Sequence, residues 1–402
     1  MGKVAVTYTP ALLTAGLVAI ALSAIATVEV LYLFHELDAE YAMIGSILGL
    51  SALSLVFFAP FIHKLSDRMG YGLFLVWSCL LLACAAVAAS LAFSAGVYAI
   101  PKIILALFSP IVIPLVIELI REVFRFAKDL DRLLMFLTTT ISFAAATGAI
   151  SAGIIAQTVG YAYVYVFSAV VFFLAGMSAL FLPRTSPPRA FTKLPTNPVL
   201  RLSPVLKKPF FLLVLVAFSL QAYWAVRDIV LPFVITQSGG SVLHVGFVFA
   251  GMSIAAGVGA ILARHLLYKN NPQRVLVVVL GVAAIFALLL PFGPVIVLGL
   301  FASGFALFES SASPSVSEAI DSAAPKRASH TIFEGLRVVS ALAWVITPIM
   351  LGILLEAGMP ARMVLFFAGL GMLYVYVRVQ RAFSPEDIFP RLSVKKRKRL
   401  SW

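Results

Sequence analysis

The sequence predicts an all-α membrane protein whose twelve membrane-spanning helices form two six-helix bundles with pseudo-two-fold symmetry. Three observations lead to this fold class: long apolar segments along the chain, basic residues that alternate between the loops, and an internal repeat of constant offset. Of the 402 residues, 62% are hydrophobic and 12% are charged, and the mean hydropathy is +1.05. A soluble domain is roughly 45–50% apolar and about 25% charged, so this composition argues against a soluble protein.

Apolar segments long enough to cross a hydrocarbon layer of roughly 30 Å recur along the chain. Charges, glycines and prolines divide them into twelve predicted spans: 10–34, 42–63, 72–93, 97–118, 134–156, 162–182, 210–236, 243–267, 274–291, 294–314, 332–355 and 362–382. The division between spans 9 and 10 depends on one tight turn, Pro291-Phe-Gly-Pro294. The first apolar segment is too long for a signal peptide, so we expect it to remain as an anchor.

The basic residues predict the orientation in the membrane. With the N-terminus inside, 26 of the 30 Lys and Arg residues fall on the cytoplasmic side, as the positive-inside rule requires. Both termini are then cytoplasmic, in the plasma or inner membrane. The net charge of +13 indicates contact with anionic lipids on that face. The basic run Lys395–Arg399 is interpreted as part of a lipid-facing tail, not as a nucleic-acid site.

A repeat divides the chain into two halves. Residues of the Pro183–Pro209 segment include seven prolines and six basic residues, which is typical of a linker. On either side, Pro114 and Glu118 match Pro314 and Glu318 at an offset of 200. The predicted units are a first bundle at 1–182, a linker at 183–209, a second bundle at 210–382 and a tail at 383–402. Parallel repeats with a site between them suit alternating access, and we expect a monomer.

A motif between spans 2 and 3 carries a family resemblance. The segment His63-Lys-Leu-Ser-Asp67-Arg68-Met-Gly70 resembles the signature GxLxDRxGRR of the major facilitator superfamily (MFS), although His63 replaces the first glycine and Tyr71-Gly72 the closing basic pair. The resemblance implies the MFS fold and a latch that closes the cytoplasmic side. Arg68 is then expected to pair with Glu118 or Glu122 at the end of span 4. The alternative is an ordinary solvated turn.

Span 5 carries a second resemblance to the same family. Gly148-Ala149-Ile-Ser-Ala152-Gly153 is similar to the antiporter motif GPxxGG, with alanine for the proline and for one glycine. Gly148, Ala152 and Gly153 are small enough for helices to approach closely. The packing role is retained in this reading, whereas the kink expected from proline is lost.

Two ionisable residues lie within spans of the first half. An ionised side chain at the bilayer centre costs about 2.5–3.5 kcal/mol on insertion scales, so such residues are usually functional or paired. Glu29 in span 1 and Lys102 in span 4 lie at similar depths in the outer half. We expect either an ion pair within one bundle, able to exchange a proton for a substrate cation, or two side chains that extend to the outer interface.

Span 7 contains the densest polar group of the second half: Gln221, Tyr223, Trp224, Arg227 and Asp228. At about 100° per residue, Gln221, Trp224 and Asp228 share one helix face. Adjacent residues do not face each other on a helix, so Arg227 and Asp228 are expected to have different partners. The group predicts a solute site; the alternative is a structural ion pair with an interfacial aromatic belt.

Spans 10 and 11 add further charges. Glu309 precedes a serine-rich stretch in span 10, and Glu334 and Arg337 are three residues apart in span 11. Glu309 and Arg337 are the candidate pair between the two helices, and Glu334 is expected to be structural.

Together these features predict a secondary active transporter of a small organic solute that works by alternating access. We expect proton coupling through Glu29 or Asp228, with export favoured by the span 5 motif. The alternative is uptake of a sugar or an organic anion that contacts Arg227 and Arg337. A channel is a further alternative.

An enzyme, a metal site and a cofactor are not expected. There is no Cys/His cluster with metal-ligand spacing and no glycine-rich phosphate loop in the sequence. Cys79 and Cys84, five residues apart on one helix, are interpreted as buried apolar residues. The histidines all fall near predicted loops: His35, His63, His244, His265 and His330.

Overall fold

The computed structural model describes residues 2–124, 130–183, 210–269, 271–323 and 326–382, and these residues contain twelve α-helices. They are α1 (Gly2–His35), α2 (Tyr41–Met69), α3 (Tyr71–Ser90), α4 (Ala95–Val123), α5 (Leu130–Thr158), α6 (Tyr161–Ala179), α7 (Phe210–Gln237), α8 (Val242–Lys269), α9 (Pro272–Leu289), α10 (Val295–Ala323), α11 (Lys326–Glu356) and α12 (Ala361–Ala382). Each is long and apolar enough to cross a membrane. The predicted linker, from residue 184, and the tail lie outside the described residues.

The twelve predicted spans are therefore confirmed, including the division at the tight turn. Helix α9 ends at Leu289 and α10 begins at Val295. Gly293 lies between them with a φ of 121°, a conformation that glycine adopts without the steric cost of a Cβ.

The helices form two six-helix bundles that repeat the same pattern of contacts. In the first bundle α1 packs on α5 and α6, and α3 packs on α4 and α6. In the second bundle α7 packs on α11 and α12, and α9 packs on α10 and α12. Every pair in the second bundle is the pair of the first bundle six helices later, as a duplicated architecture requires.

The molecule has two ends, which we call the terminal face and the distal face. The terminal face is the end at which α1 begins, α2, α4, α8 and α10 end, and α3, α5, α9 and α11 begin. The distal face is the opposite end. The distribution of basic residues predicts that the terminal face is cytoplasmic.

The bundles meet along α2 with α11 and along α5 with α8. Near the distal face both contacts depend on glycine. A Cβ placed on Gly45 of α2 would lie 3.0 Å from the Cα of Gly352 in α11, and one placed on Gly246 of α8 would lie 3.1 Å from the Cα of Gly153 in α5. Because such contacts leave no room for a side chain, the bundles touch backbone to backbone there.

The connection between α2 and α3 differs from the predicted turn. Helix α2 continues to Met69 and α3 begins at Tyr71, so Gly70 alone separates them. Asp67 and Arg68 therefore lie on the last turn of α2 and not in a loop. Gly70 makes this possible because its φ of 80° reverses the chain in one residue, and its N–H bonds to the Ser66 carbonyl at 3.0 Å.

Candidate functional site

A central cavity of about 440 Å³ lies between the bundles. Its described lining comes from α2 of the first bundle and α7, α10 and α11 of the second. The lining residues include Leu55, Leu220, Gln221, Ser317, Ser340 and Trp344. They lie from the middle of the membrane towards the terminal face.

Aromatic side chains close the bundles on each other at the distal face. Phe34 of α1 and Tyr41 of α2 stack with ring centroids 5.1 Å apart. Phe233 of α7 meets both edge-on, at 5.3 Å from Phe34 and 5.2 Å from Tyr41. With the glycine contacts, this distal aromatic cluster separates the central cavity from the distal face.

A buried ion pair crosses the first bundle between α1 and α4. Lys102 Nζ lies 2.6 Å from Glu29 Oε1 and donates to Oε2 at 2.7 Å. Glu29 is only 7% exposed. The structure thus brings together the two charges that the sequence placed at similar depths, inside the bundle and not at the interface.

Three tyrosines that were not predicted from the sequence as site residues surround this pair. Tyr98 donates its hydroxyl to Glu29 Oε1 at 2.5 Å, and the hydroxyls of Tyr98 and Tyr165 are 2.8 Å apart. Tyr32 packs on both rings and donates to the Ala89 carbonyl at 2.8 Å. The spacing of Tyr98 and Lys102, four residues apart on one helix face, was the available signal.

The second bundle carries a different ionic cluster. Nε and Nη2 of Arg227 donate to Asp228 Oδ1 at 3.0 and 2.9 Å. The prediction that these neighbours have different partners is wrong. Their Cβ atoms do point apart, but the long arginine side chain folds back along the helix and its guanidinium reaches the shorter carboxylate.

Glu309 of α10 is the second carboxyl of this cluster. It is 5% exposed and lies within electrostatic range of Arg227 and Asp228. One turn earlier on α10, the Phe305 ring lies 5.9 Å from the Arg227 guanidinium carbon. The predicted partner Arg337 and the nearby Glu334 have side chains outside the described part of the structure.

A row of aromatic and amide side chains connects the ionic cluster to the cavity. The Trp224 ring centroid lies 5.4 Å from the Arg227 guanidinium carbon and 6.3 Å from the ring of Trp344. Trp344 Nε1 donates to Gln221 Oε1 at 2.8 Å. Trp344 was not predicted from the sequence, although it is a polar aromatic residue in mid-span.

Tyr223 is not part of this row of side chains. Its side chain is 1% exposed, and its hydroxyl donates to the Ala287 carbonyl of α9 at 3.0 Å. This bond joins α7 to α9 inside the second bundle, and Tyr223 is not among the residues that line the cavity, so its role here is packing within the bundle.

At the terminal face the motif residues do not form the predicted ion pair. Glu118 pairs with Arg121 on its own helix at 2.8 Å, and no ion pair joins Arg68 to Glu118 or Glu122 among the described side chains. Asp67, Glu118 and Glu122 instead lie within electrostatic range of Tyr71.

The small residues of α5 pack against both bundles. A Cβ on Gly148 would clash with the backbone of Ile20 in α1. Ala152 is fully buried, and Gly153 meets Gly246 of α8. This stretch of α5 therefore lies between its own bundle and the other one.

Comparisons with known proteins agree with this architecture. A family model described as Major Facilitator Superfamily matches residues 11–348, whereas no curated protein matches the sequence at a significant level. The crystal structure of the nucleoside transporter NupG is 12% identical with a TM-score of 0.79, over 94% of this chain and 99% of that chain.

A second solved structure shares the fold. It is a bacterial homologue of the human lysosomal transporter Spinster, in an inward-facing and unoccupied conformation, 14% identical with a TM-score of 0.69, over 93% of this chain and 96% of that chain. At these identities the likenesses show the fold alone. The family match over most of the sequence shows more: the chain belongs to the Major Facilitator Superfamily of secondary transporters.

Proposed function

We propose that this protein exports a small organic solute by alternating access in exchange for protons. One observation carries the proposal: among the described side chains, the Asp228 carboxylate is paired with the Arg227 guanidinium, and the buried carboxyl of Glu309 lies within electrostatic range of both, so that two acids accompany one base. An unbalanced charge in a low-dielectric interior is expensive. A proton on one of the carboxyls removes the imbalance, so the cluster is suited to bind and release a proton.

The first bundle lacks this property. Glu29 faces one ammonium group, that of Lys102, and also accepts from the Tyr98 hydroxyl. This pair is balanced in charge and satisfied in hydrogen bonds, so it has little need for a proton. We therefore assign coupling to the second bundle and a structural role to the pair of the first.

The position of the cluster supports a link between protonation and movement. Arg227 and Asp228 lie on α7, whose Phe233 takes part in the distal aromatic cluster. A change of charge at Arg227 and Asp228 therefore occurs within two helical turns of the contact that must open. In this proposal the distal side opens to release the solute, and a proton enters from that side.

Export is the direction that the span 5 resemblance favours, and it agrees with a cavity on the predicted cytoplasmic side. Uptake of an organic anion through Arg227 is less well supported because its guanidinium already bonds to Asp228. The solutes named for the two similar structures do not decide the substrate at these identities.

The test uses inside-out membrane vesicles with an acidic lumen reported by acridine orange. Solutes from a panel are added, and a solute exchanged for protons relieves the quenching. We expect wild type to respond to at least one solute, and Glu309→Gln and Asp228→Asn to lose the response. Glu29→Gln is the matched control and should retain it in proportion to the folded protein. Wild-type responses in both second-bundle variants would contradict the proposal.

A further inference from the structure

We propose that the central cavity binds a flat, uncharged ring system that presents a hydrogen-bond acceptor, such as a ring carbonyl, to Gln221. The inference depends on the proposed function only in taking this cavity as the solute site. It is carried by the contact between Gln221 and Trp344 and by the residues around it.

The contact with Trp344 determines which end of the Gln221 amide faces the solute. The indole N–H of Trp344 is a donor and has no acceptor atom. It lies 2.8 Å from the Gln221 side chain, which must therefore present its carbonyl oxygen to Trp344.

The fixed carbonyl of Gln221 leaves its NH₂ group free to face a solute. With Oε1 on Trp344, the NH₂ group of Gln221 retains its two donors, and no acceptor bonds to them among the described residues. Gln221 lines the cavity. A solute that fills the cavity thus meets donors and must supply an acceptor, since an unpaired buried polar group costs about 1–3 kcal/mol.

The ring of Trp344 provides a flat surface at the cavity. Trp344 also lines the cavity, and its ring is held by the edge of Trp224 at 6.3 Å. A tryptophan fixed by a hydrogen bond and by a neighbouring ring offers a rigid face that loses little conformational entropy on binding. Flat ring systems gain from stacking on such a face.

The lining and the volume of the cavity limit the charge and the size of a solute. The described lining contains apolar side chains, hydroxyls, the amide and the indole, and none of these ionises. The pair of Arg227 and Asp228 does not line the cavity, and Arg227 contacts Trp224, whose ring lies beside that of Trp344. A volume of about 440 Å³ is within the range of small-molecule sites, about 300–1,000 Å³. An uncharged solute fits these conditions better than an ion.

The same contacts connect the solute to the proton cluster. Trp224 contacts both the ring of Trp344, which lines the cavity, and the guanidinium of Arg227. A ring that stacks on Trp344 can shift Trp224 and thereby change the environment of the Arg227–Asp228 pair.

The test measures binding to the purified full-length protein by thermal shift and by quenching of tryptophan fluorescence. The flat uncharged probes are caffeine and nicotinamide, both with carbonyl acceptors. Glucose is uncharged but not flat, benzoate is a flat anion, and benzyltrimethylammonium is a flat cation. We expect caffeine or nicotinamide to bind at millimolar concentration and the other three to bind at least tenfold more weakly (about 1.4 kcal/mol).

Two variants assign the binding to the proposed contact. Gln221→Met keeps length and removes the donors, and we expect it to weaken the responsive probe about tenfold. Trp344→Phe keeps a ring but releases the amide, and a similar loss is expected. Trp77→Phe is the matched control because Trp77 is exposed on α3, away from the cavity; it should bind as wild type does.

Several outcomes would overturn the inference. They are preferential binding of glucose, benzoate or the quaternary amine, no response to any flat uncharged probe, or equal binding by wild type and Gln221→Met. Failure of the proposed function is a separate result: caffeine or nicotinamide would bind through Gln221, while Glu309→Gln left proton exchange unchanged.

Discussion

Lys102 Nζ lies 2.6 Å from Oε1 of Glu29, and this ion pair connects α4 to α1 inside the first bundle. A buried pair of this kind is not by itself a large source of stability, because both ions lose their hydration. The loss of one partner nevertheless lowers the stability of the protein, because the other charge then remains unpaired in an apolar interior.

The first prediction concerns this pair. Lys102→Met should destabilise the protein by about 3–5 kcal/mol, because the Glu29 carboxylate keeps its burial and loses its counter-charge. The measurement is the loss of folded protein on heating in detergent, followed by size-exclusion chromatography. The double variant Lys102→Met with Glu29→Leu should recover much of the loss. A double variant less stable than Lys102→Met alone would show that charge imbalance is not the cause.

The second prediction separates the two tyrosines beside the pair. Tyr98→Phe removes the hydroxyl that bonds to Glu29 and should cost about 1.5–3 kcal/mol, as expected for a hydrogen bond to a charged group. Tyr165→Phe is the matched control, since Tyr165 bonds to Tyr98 and not to Glu29. The same heating assay compares them, and an equal loss in both variants would contradict a special contact between Tyr98 and Glu29.

The third prediction concerns the contact between the bundles. Gly45→Leu should force α2 away from α11 at the distal face, because even a Cβ clashes with the Pro348 carbonyl there. Spin labels on cysteines at Val159 and Phe292, which are exposed and close to that face, should show a longer distance by pulsed electron paramagnetic resonance. Gly96→Leu serves as control, since a Cβ at Gly96 meets nothing within 4 Å. An unchanged distance in Gly45→Leu would show that the larger side chain does not separate α2 from α11.

The parts of the fold that the sequence predicted are those controlled by the bilayer. An apolar segment must be about 20 residues long to cross it as a helix, and basic residues remain on one side. Even the weakly marked division after Leu289 followed from these rules, because proline and glycine cannot easily continue a helix across Pro291–Pro294.

The ends of helices and the direction of side chains were harder. The turn after span 2 was expected to include Asp67 and Arg68, but hydrophobicity does not mark where a helix ends beyond the apolar layer, and only Gly70 interrupts it. Residue spacing likewise gives the direction of a Cβ and not the reach of a long side chain. For that reason the bond from Arg227 to Asp228 was missed.

Contacts between distant helices were the least predictable. The similar depths of Glu29 and Lys102 predicted an ion pair as one of two alternatives, the other being extension of both side chains to the outer interface. Nothing in a single sequence placed Trp344 beside Gln221, since that contact depends on how α11 rotates against α7.

The central claim is that the carboxyls of Asp228 and Glu309 hold the exchangeable proton. Infrared difference spectroscopy between acidic and alkaline buffer tests it most directly, because a protonated carboxyl group has its own C=O stretching band. We predict a pH-dependent carboxyl band in wild type that is lost or shifted in both Glu309→Gln and Asp228→Asn and unchanged in Glu29→Gln. A band that disappears only in Glu29→Gln, or that persists unaltered in both second-bundle variants, would contradict the claim.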